Sequence, residues 1–476
     1  MSNKDLWRLS ATETAARTTA GDITATAAVD AAIARMETVN PALNAVVVSL
    51  AESARARAAA LDKARADGAP CGPLHGVPVT IKINVDQAGE ATSNGVVALK
   101  DMIAPANAPL VDNLLNAGAV VIGRTNTPEF SFRADTDNPL HGRTRNPWGD
   151  HLSPGGSSGG AGSAVAAGIG ALAHGNDIGG SLRFPAAANG VVTIKPGMGR
   201  VPAYNPSQTA ERGMLSQAMS VQGLIARSAA DLHLSMPSMI RTDPRDPYHV
   251  PLDWKGAPLD GPIKVGFTKE TYEFDLHPEV SRALDLARDA LVDAGYQVEE
   301  VEPPMLREIG IEGYRTLMGE AKALMEADIR AKGSATIQAV FDEYYAQFPP
   351  YEGTELLQMM AKRSYYARVW SEFLATYPLV LTPFLPQPFF RPDRDTEGAE
   401  GMREVMGGSL WSYSMNYIGL PAANVPALLA DLPAGPTPVN VQIVARRWRE
   451  DLAVDASIAI ESRLDTLSEA LWSRMG

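Results

Sequence analysis

The chain reads as one large α/β domain, a mixed and twisted β-sheet covered by helices. Three observations predict it. Short β-branched runs alternate with helical segments along most of the sequence. No linker of shifted composition divides the 476 residues; that length exceeds the usual single domain, but large α/β enzymes do carry one extended sheet. No internal repeat is present.

Taken in order, Asp22 or Thr24 caps a helix that carries Ala28, Ala32, Ile33 and Met36 and stops near Asn40-Pro41. An Ala- and Arg-rich helix follows from Leu50 to Ala66. Val77 to Asn84 is rich in β-branched residues and reads as a strand. Its period of two puts Val79, Ile81 and Ile83 on one face and Thr80, Lys82 and Asn84 on the other. Val120-Val121-Ile122 is a further strand behind a helix, and Ala171 to Gly175, around His174, reads as a helix end. Ile263 to Phe267 is a strand before a helix from about Pro278 to Ala294. Leu379-Val380-Leu381 and Gln442-Ile443-Val444 complete the strand set, the latter before a helix from Glu450. Thr242 to Pro262, rich in Pro and Asp, reads as a long surface connection.

From about Leu306 to Trp411 the alternation gives way to an aromatic-rich helical insertion. Its rings, among them Tyr314, Phe341, Tyr344, Tyr366 and Trp370, either pack a core of their own or wall a substrate pocket, since such pockets are mostly apolar and aromatic.

Composition narrows the function. A net charge of −13 argues against nucleic acid or an anionic membrane as the main partner. Cys71 is the only cysteine, so neither an intrachain disulfide nor a cysteine metal cluster can form. The seven histidines make no His-Glu-x-x-His metal pattern. The first residues lack the apolar core of a signal peptide, and no stretch approaches the roughly 20 apolar residues of a membrane span. A cytoplasmic protein is expected.

The chemistry lies in two glycine-flanked serine runs, Gly155-Gly156-Ser157-Ser158-Gly159-Gly160 and Asp177-Ile178-Gly179-Gly180-Ser181. Glycine allows close backbone approaches that a Cβ forbids, so the second run can turn several N–H groups toward one point where an oxyanion forms. A serine hydroxyl needs a base. Lys82 can serve if it is neutral, which at an ordinary pKa holds for roughly one lysine in 2,500 at pH 7; burial would raise that fraction. The two serine runs in this order, with Lys82 upstream, point to acyl transfer. The rival Gly-x-Ser-x-Gly nucleophile elbow should follow a strand, but Asn146 to Pro154 reads as an irregular loop. The absence of a Gly-Lys-Ser/Thr closing the glycine run argues against a phosphate loop.

These two runs, with Asn176 to Ala186, resemble the signature of the amidase signature family. The resemblance extends to Gly76 to Lys82, Gly123 to Phe130, Asn416 to Ala422 and Val441 to Val444, covering nearly the whole chain outside the insertion. It implies Ser181 as nucleophile, Ser157 as a bridging serine after a cis peptide, and Lys82 as base. It further implies an oxyanion hole from the N–H groups of Ile178, Gly179, Gly180 and Ser181. Asp177 and Arg183 hold the loop, with Arg183 also able to meet an acidic substrate group. Ser158 hydrogen-bonds within the relay, and Asn126 binds substrate or supports the site. Where the family often has Asp after the lysine, this chain has Ile83; Pro196-Gly197 and Gly223-Leu224 also depart from the usual pattern.

The implied reaction is hydrolysis of the C–N bond of a small apolar or aryl amide, with carbamates and cyclic oligoamides also accessible. No metal or organic cofactor is called for. The implied partners are the small amide and water, with a homodimer left open. Two alternatives are a glutamine-hydrolysing subunit of a tRNA amidotransferase and a non-catalytic scaffold on the same fold, against which an intact Lys82, Ser157 and Ser181 argues.

Overall fold

The computed structural model describes residues 3–475. One sheet of eleven strands organises it: β1 Val46–Ser49, β2 Pro78–Lys82, β3 Val120–Thr125, β4 Leu172–Asp177, β5 Val192–Lys195, β6 Val221–Ala226, β7 Lys264–Phe267, β8 Gln297–Glu300, β9 Leu379–Pro383, β10 Ala422–Leu432 and β11 Gly435–Ala445. The order across the sheet is β1-β3-β2-β4-β6-β5-β10-β11-β9-β7-β8. It is mixed. β2 runs parallel to both β3 and β4, whereas β6 runs antiparallel to β4 and β5.

The period of two in β2 sorts its side chains between two cores. Val79 and Ile81 join the cluster that packs against the helices Pro278–Asp293 and Glu450–Leu464. Thr80 lies opposite Ala173 of β4, which belongs to the cluster on the other face. Both faces of β2 are buried throughout, so Lys82 is carried into the interior and not to solvent. Among the described residues no helix is long and apolar enough to cross a membrane.

Several boundaries differ from the sequence reading. The Thr24-capped helix runs Ala25–Leu43, past Pro41, and ends on Asn44 in a left-handed conformation. Pro41 sits in the last turn, where only the bond its missing N–H would make is lost. His174 is not at a helix end. It lies within β4, whose sequence Leu-Ala-His-Gly-Asn-Asp has no β-branched residue and is held as a strand by pairing with β6 along its whole length. The region from Leu306 contains the helices Leu306–Leu324, Glu326–Lys332, Ala335–Gln347 and Gly353–Thr376, then returns to the sheet as β9 before the short helices that reach Trp411. Thr242 to Pro262 carries no regular element, and Arg200 pins it by donating to the carbonyls of Leu252 and Asp253, each at 2.6 Å.

Candidate active site

Two loops and one strand end converge on a cavity of about 920 Å³ lined by Ser157, Asn176, Ile178 and Ser181. Lys82, at the end of β2, is fully buried; its Nζ lies 2.7 Å from Ser157 Oγ and 2.8 Å from Asn176 Oδ1. Burial drives its pKa well below the ordinary lysine value, opposed by the charge of Asp177. The Gly156-Ser157 peptide is cis. Thr136 Oγ1 anchors this loop by donating to Gly155 O at 2.8 Å and accepting from Gly159 N–H at 3.2 Å. No strand precedes it, which removes the nucleophile-elbow geometry.

Ser181 follows β4 in the turn that leads to the helix Arg183–Asn189. The Ser158 N–H donates to Ser181 O at 3.2 Å and joins the two serine loops. Asp177 holds the turn from inside: Oδ1 accepts the Gly180 N–H at 2.7 Å, and Oδ2 accepts the Leu182 N–H at 3.1 Å. Gly180 has a φ of 132°, and a Cβ there would stand 2.3 Å from Ser412 Oγ and 2.4 Å from the Phe184 ring. Only glycine fits.

Arg183 is fully buried, and all five of its N–H donors are engaged within the chain. Nε and Nη2 grip Asp177 in a fork at 3.0 Å each; Nη1 reaches Ser412 O and Gln442 Oε1 at 2.9 Å each; Nη2 also reaches Asn416 Oδ1. Asn416 in turn donates to Asp177 Oδ1 at 2.9 Å. Burial alone would raise the Asp177 carboxyl, but the charge and hydrogen bonds of Arg183 prevail and bring it to about 2. The distant motifs around Asn416 and Gln442 therefore meet at this ion pair. Replacing Arg183 by methionine leaves a buried carboxylate without its partner, so we expect a loss of about 3–5 kcal/mol in a urea-unfolding measurement.

Four expectations from the sequence change here. The Gly180 N–H is spent on Asp177, so among the described residues the N–H groups of Ile178, Gly179 and Ser181 are the ones of this turn without a partner in the chain. Arg183 has no donor left for a substrate's acidic group. Ser158 Oγ donates to Asn176 O at 3.4 Å and makes no side-chain bond to Lys82, Ser157 or Ser181. Asn126 lies away from the cavity: Nδ2 donates to Gly142 O at 2.9 Å, and Oδ1 accepts from Asn138 Nδ2 at 2.8 Å. It ties down the loop after β3.

The rings of the 306–411 region do not line the cavity. That region contributes Glu320, Leu324, Met325, Met360 and Arg363 to the lining, whereas the cavity's rings are Phe130, Phe132, Tyr204 and Tyr248. Phe341 and Tyr344 stand behind Phe132, with ring centroids 4.8 and 6.2 Å from it. They brace the wall and do not form it. His174 also stands apart from the chemistry. Its Nε2 lies 2.9 Å from Gln222 Oε1, and burial brings its pKa down to about 3. Asn84, Asn176 and Ser131 line the site but had no role assigned from sequence. The one available signal was that Asn84 shares the strand parity of Lys82.

Residues 27–454 match the family described as Amidase. The chain belongs to the amidase signature family. The amidase is 48% identical to an indoleacetamide hydrolase of Bradyrhizobium diazoefficiens over 471 residues, 99% of this chain and 89% of that one. It is 32% identical to an acylamidase of Rhodococcus erythropolis over 486 residues, covering 97% of each. Among solved structures, a bacterial aryl acylamidase of the amidase signature family superposes with a TM-score of 0.83 at 27% identity, covering 98% of each chain. The amidase is thus an amide-hydrolysing enzyme on a single α/β domain.

Proposed function

We propose that this amidase hydrolyses a small arylalkyl amide of the indoleacetamide type through an acyl-enzyme on Ser181, with Ser157 relaying protons to Lys82. One observation carries the reading: the fully buried Lys82 amine lies 2.7 Å from the Ser157 hydroxyl, beside the cavity that Ser181 lines. Ser181 Oγ bonds to the amide carbon while its proton passes to Ser157 and the Ser157 proton to neutral Lys82. The oxyanion meets the free N–H groups of Ile178, Gly179 and Ser181; each such donor typically lowers the barrier by about 2.7–4 kcal/mol. Collapse breaks the C–N bond, and the relay runs back to protonate the departing amine. Water then attacks the ester by the same route.

The substrate class rests on the cavity wall and on the 48% identical relative. Phe130, Phe132, Met198 and Met360 offer apolar and aromatic surface for an aryl group. Purified protein should be assayed against indoleacetamide, phenylacetamide, an acyl anilide, an aryl carbamate, a cyclic oligoamide and glutamine. The arylacetamides should exceed glutamine in kcat/KM by at least about a hundredfold, since a buried aryl ring is worth a few kcal/mol. Preference for glutamine would favour the amidotransferase-subunit reading instead.

A further inference from the structure

A row of polar side chains leads away from Lys82 along the cavity wall. Lys82 Nζ donates to Asn176 Oδ1 at 2.8 Å, Asn176 Nδ2 to Asn84 Oδ1 at 2.9 Å, Asn84 Nδ2 to Ser131 Oγ at 2.9 Å, and Ser131 Oγ to Asn94 Oδ1 at 2.6 Å. Every link points the same way. Ser131 has one proton, which goes to Asn94, so its oxygen is left to accept from Asn84 and from Thr127 Oγ1 at 2.9 Å. Asn84 therefore turns its carbonyl oxygen to Asn176. Asn176, with its NH₂ committed to Asn84, turns its own carbonyl oxygen to Lys82. A second contact, Asn84 Nδ2 to Asn176 Oδ1 at 3.3 Å, makes the amide pair reciprocal.

The far end of the row is held by unusual backbone. Asn94, Phe130 and Ser131 have φ values of 50°, 54° and 58°, a left-handed conformation that is sparse for residues with a Cβ. The Phe130 N–H donates to Asn94 O at 3.1 Å and clasps the two segments together. This geometry places the Ser131 hydroxyl between Asn94 and Asn84.

We propose that Asn176 and Asn84, held by Ser131 and Asn94, are positioning residues that orient the Lys82 amine so that its lone pair faces Ser157. The inference rests on the reading of Lys82 as base. A neutral amine has two N–H bonds and one lone pair. With one N–H held by Asn176 Oδ1, the lone pair is kept off the amide and is left to take the Ser157 proton. An amide turned the other way would set an NH₂ against Nζ and compete for that lone pair. The titratable groups facing Lys82 are Asp177, which ends β4 and favours the ammonium form, and His174 on β4, which is neutral above about pH 3; Arg124 on β3 faces His174.

The pH dependence of kcat/KM separates positioning from mere packing. Asn176→Asp keeps an oxygen acceptor but adds a charge that favours the ammonium form, so its acid limb should move upward by at least one pH unit. Asn176→Leu removes the acceptor and should lower kcat at least tenfold with KM within twofold. An acid limb of Asn176→Asp that coincides with the parent's, or a kcat of Asn176→Leu within twofold of it, overturns the proposal. If thermal melting shows that the variants at 176 do not fold, Asn84→Ala tests the next link: a fivefold or larger loss of kcat supports the row, and an unchanged kcat overturns it. Lys82→Arg is run in parallel. Turnover retained by it sinks the base reading itself, whereas an inactive Lys82→Arg beside an unmoved Asn176→Asp limb sinks only the positioning role.

Discussion

Ser181→Ala should abolish turnover and block labelling by a serine-directed fluorophosphonate. The substitution removes the acyl acceptor and leaves the rest of the turn standing, because Asp177 grips that turn through the Gly180 and Leu182 N–H groups and not through the Ser181 side chain. In serine hydrolases the loss of the nucleophile costs on the order of 10⁶ in kcat, and a similar drop is expected here. The variant should bind substrate and melt near the parent temperature. Peptide mapping of the labelled parent should place the phosphonyl group on Ser181. A label found on Ser157 or Ser158, with Ser181 unmodified, would contradict the assignment.

Lys82→Arg should be almost as damaging. A guanidinium is not deprotonated near neutral pH, and its fork does not fit a site that offers Ser157 Oγ and Asn176 Oδ1 to a single amine. The loss should fall on kcat far more than on KM, because proton transfer goes while the cavity stays. The sign of the pH profile follows. Protonated Lys82 cannot take the Ser157 proton, so kcat/KM falls as pH drops through the pKa of the coupled Lys82-Ser157 unit. Burial lowers that pKa below the ordinary lysine value, so the acid limb lies below the lysine range and activity rises toward neutral and alkaline pH. His174, at about 3, cannot produce a limb near neutrality. His174→Asn should therefore keep turnover within about tenfold of the parent, a barrier change of no more than about 1.4 kcal/mol, since the proton relay stays in place. An active Lys82→Arg beside an inactive His174→Asn would mean that the histidine is the base.

Much of the site was legible before any coordinates. The alternation Val79-Thr80-Ile81-Lys82 fixed which face carries the amine, and β2 places Val79 and Ile81 in one core while the amine reaches Ser157 from the other face. The glycines around Ser157 and Ser181 marked two loops that meet, and they do meet, through the Ser158 N–H and Ser181 O. What escaped the sequence reading was decided by partners far along the chain. β4 has no strand propensity and is made a strand by β6. An oxyanion role for all four N–H groups of the turn overlooked that Asp177, three residues before Gly180, satisfies one of them, although a carboxylate at that spacing is an ordinary turn acceptor.

The aromatic region illustrates the same limit. The helical spacing of Tyr314, Phe341, Tyr344 and Trp370 left open whether they pack a core or wall the pocket, and all are buried. None of them lines the cavity, because Phe132, which belongs to the loop after β3, stands between it and Phe341 and Tyr344. Arg183 likewise could look free to meet a substrate until Gln442 and Asn416, far along the chain, took its donors. The Asn84-Asn176 pair was invisible for a simpler reason. Neither residue type marks a catalytic group by itself, and only the 2.8 Å approach of Asn176 to Lys82 gives it meaning.

The central claim is that amide cleavage passes through an acyl-enzyme on Ser181. Its most direct test is partitioning with a fixed concentration of hydroxylamine. An amide, an anilide and an ester of the same arylacetic acid should give one and the same ratio of hydroxamate to acid, because all three deliver the same acyl-Ser181, and Ser181→Ala should form no hydroxamate. A ratio that follows the leaving group, or hydroxamate formed by Ser181→Ala at the parent rate, would contradict the account.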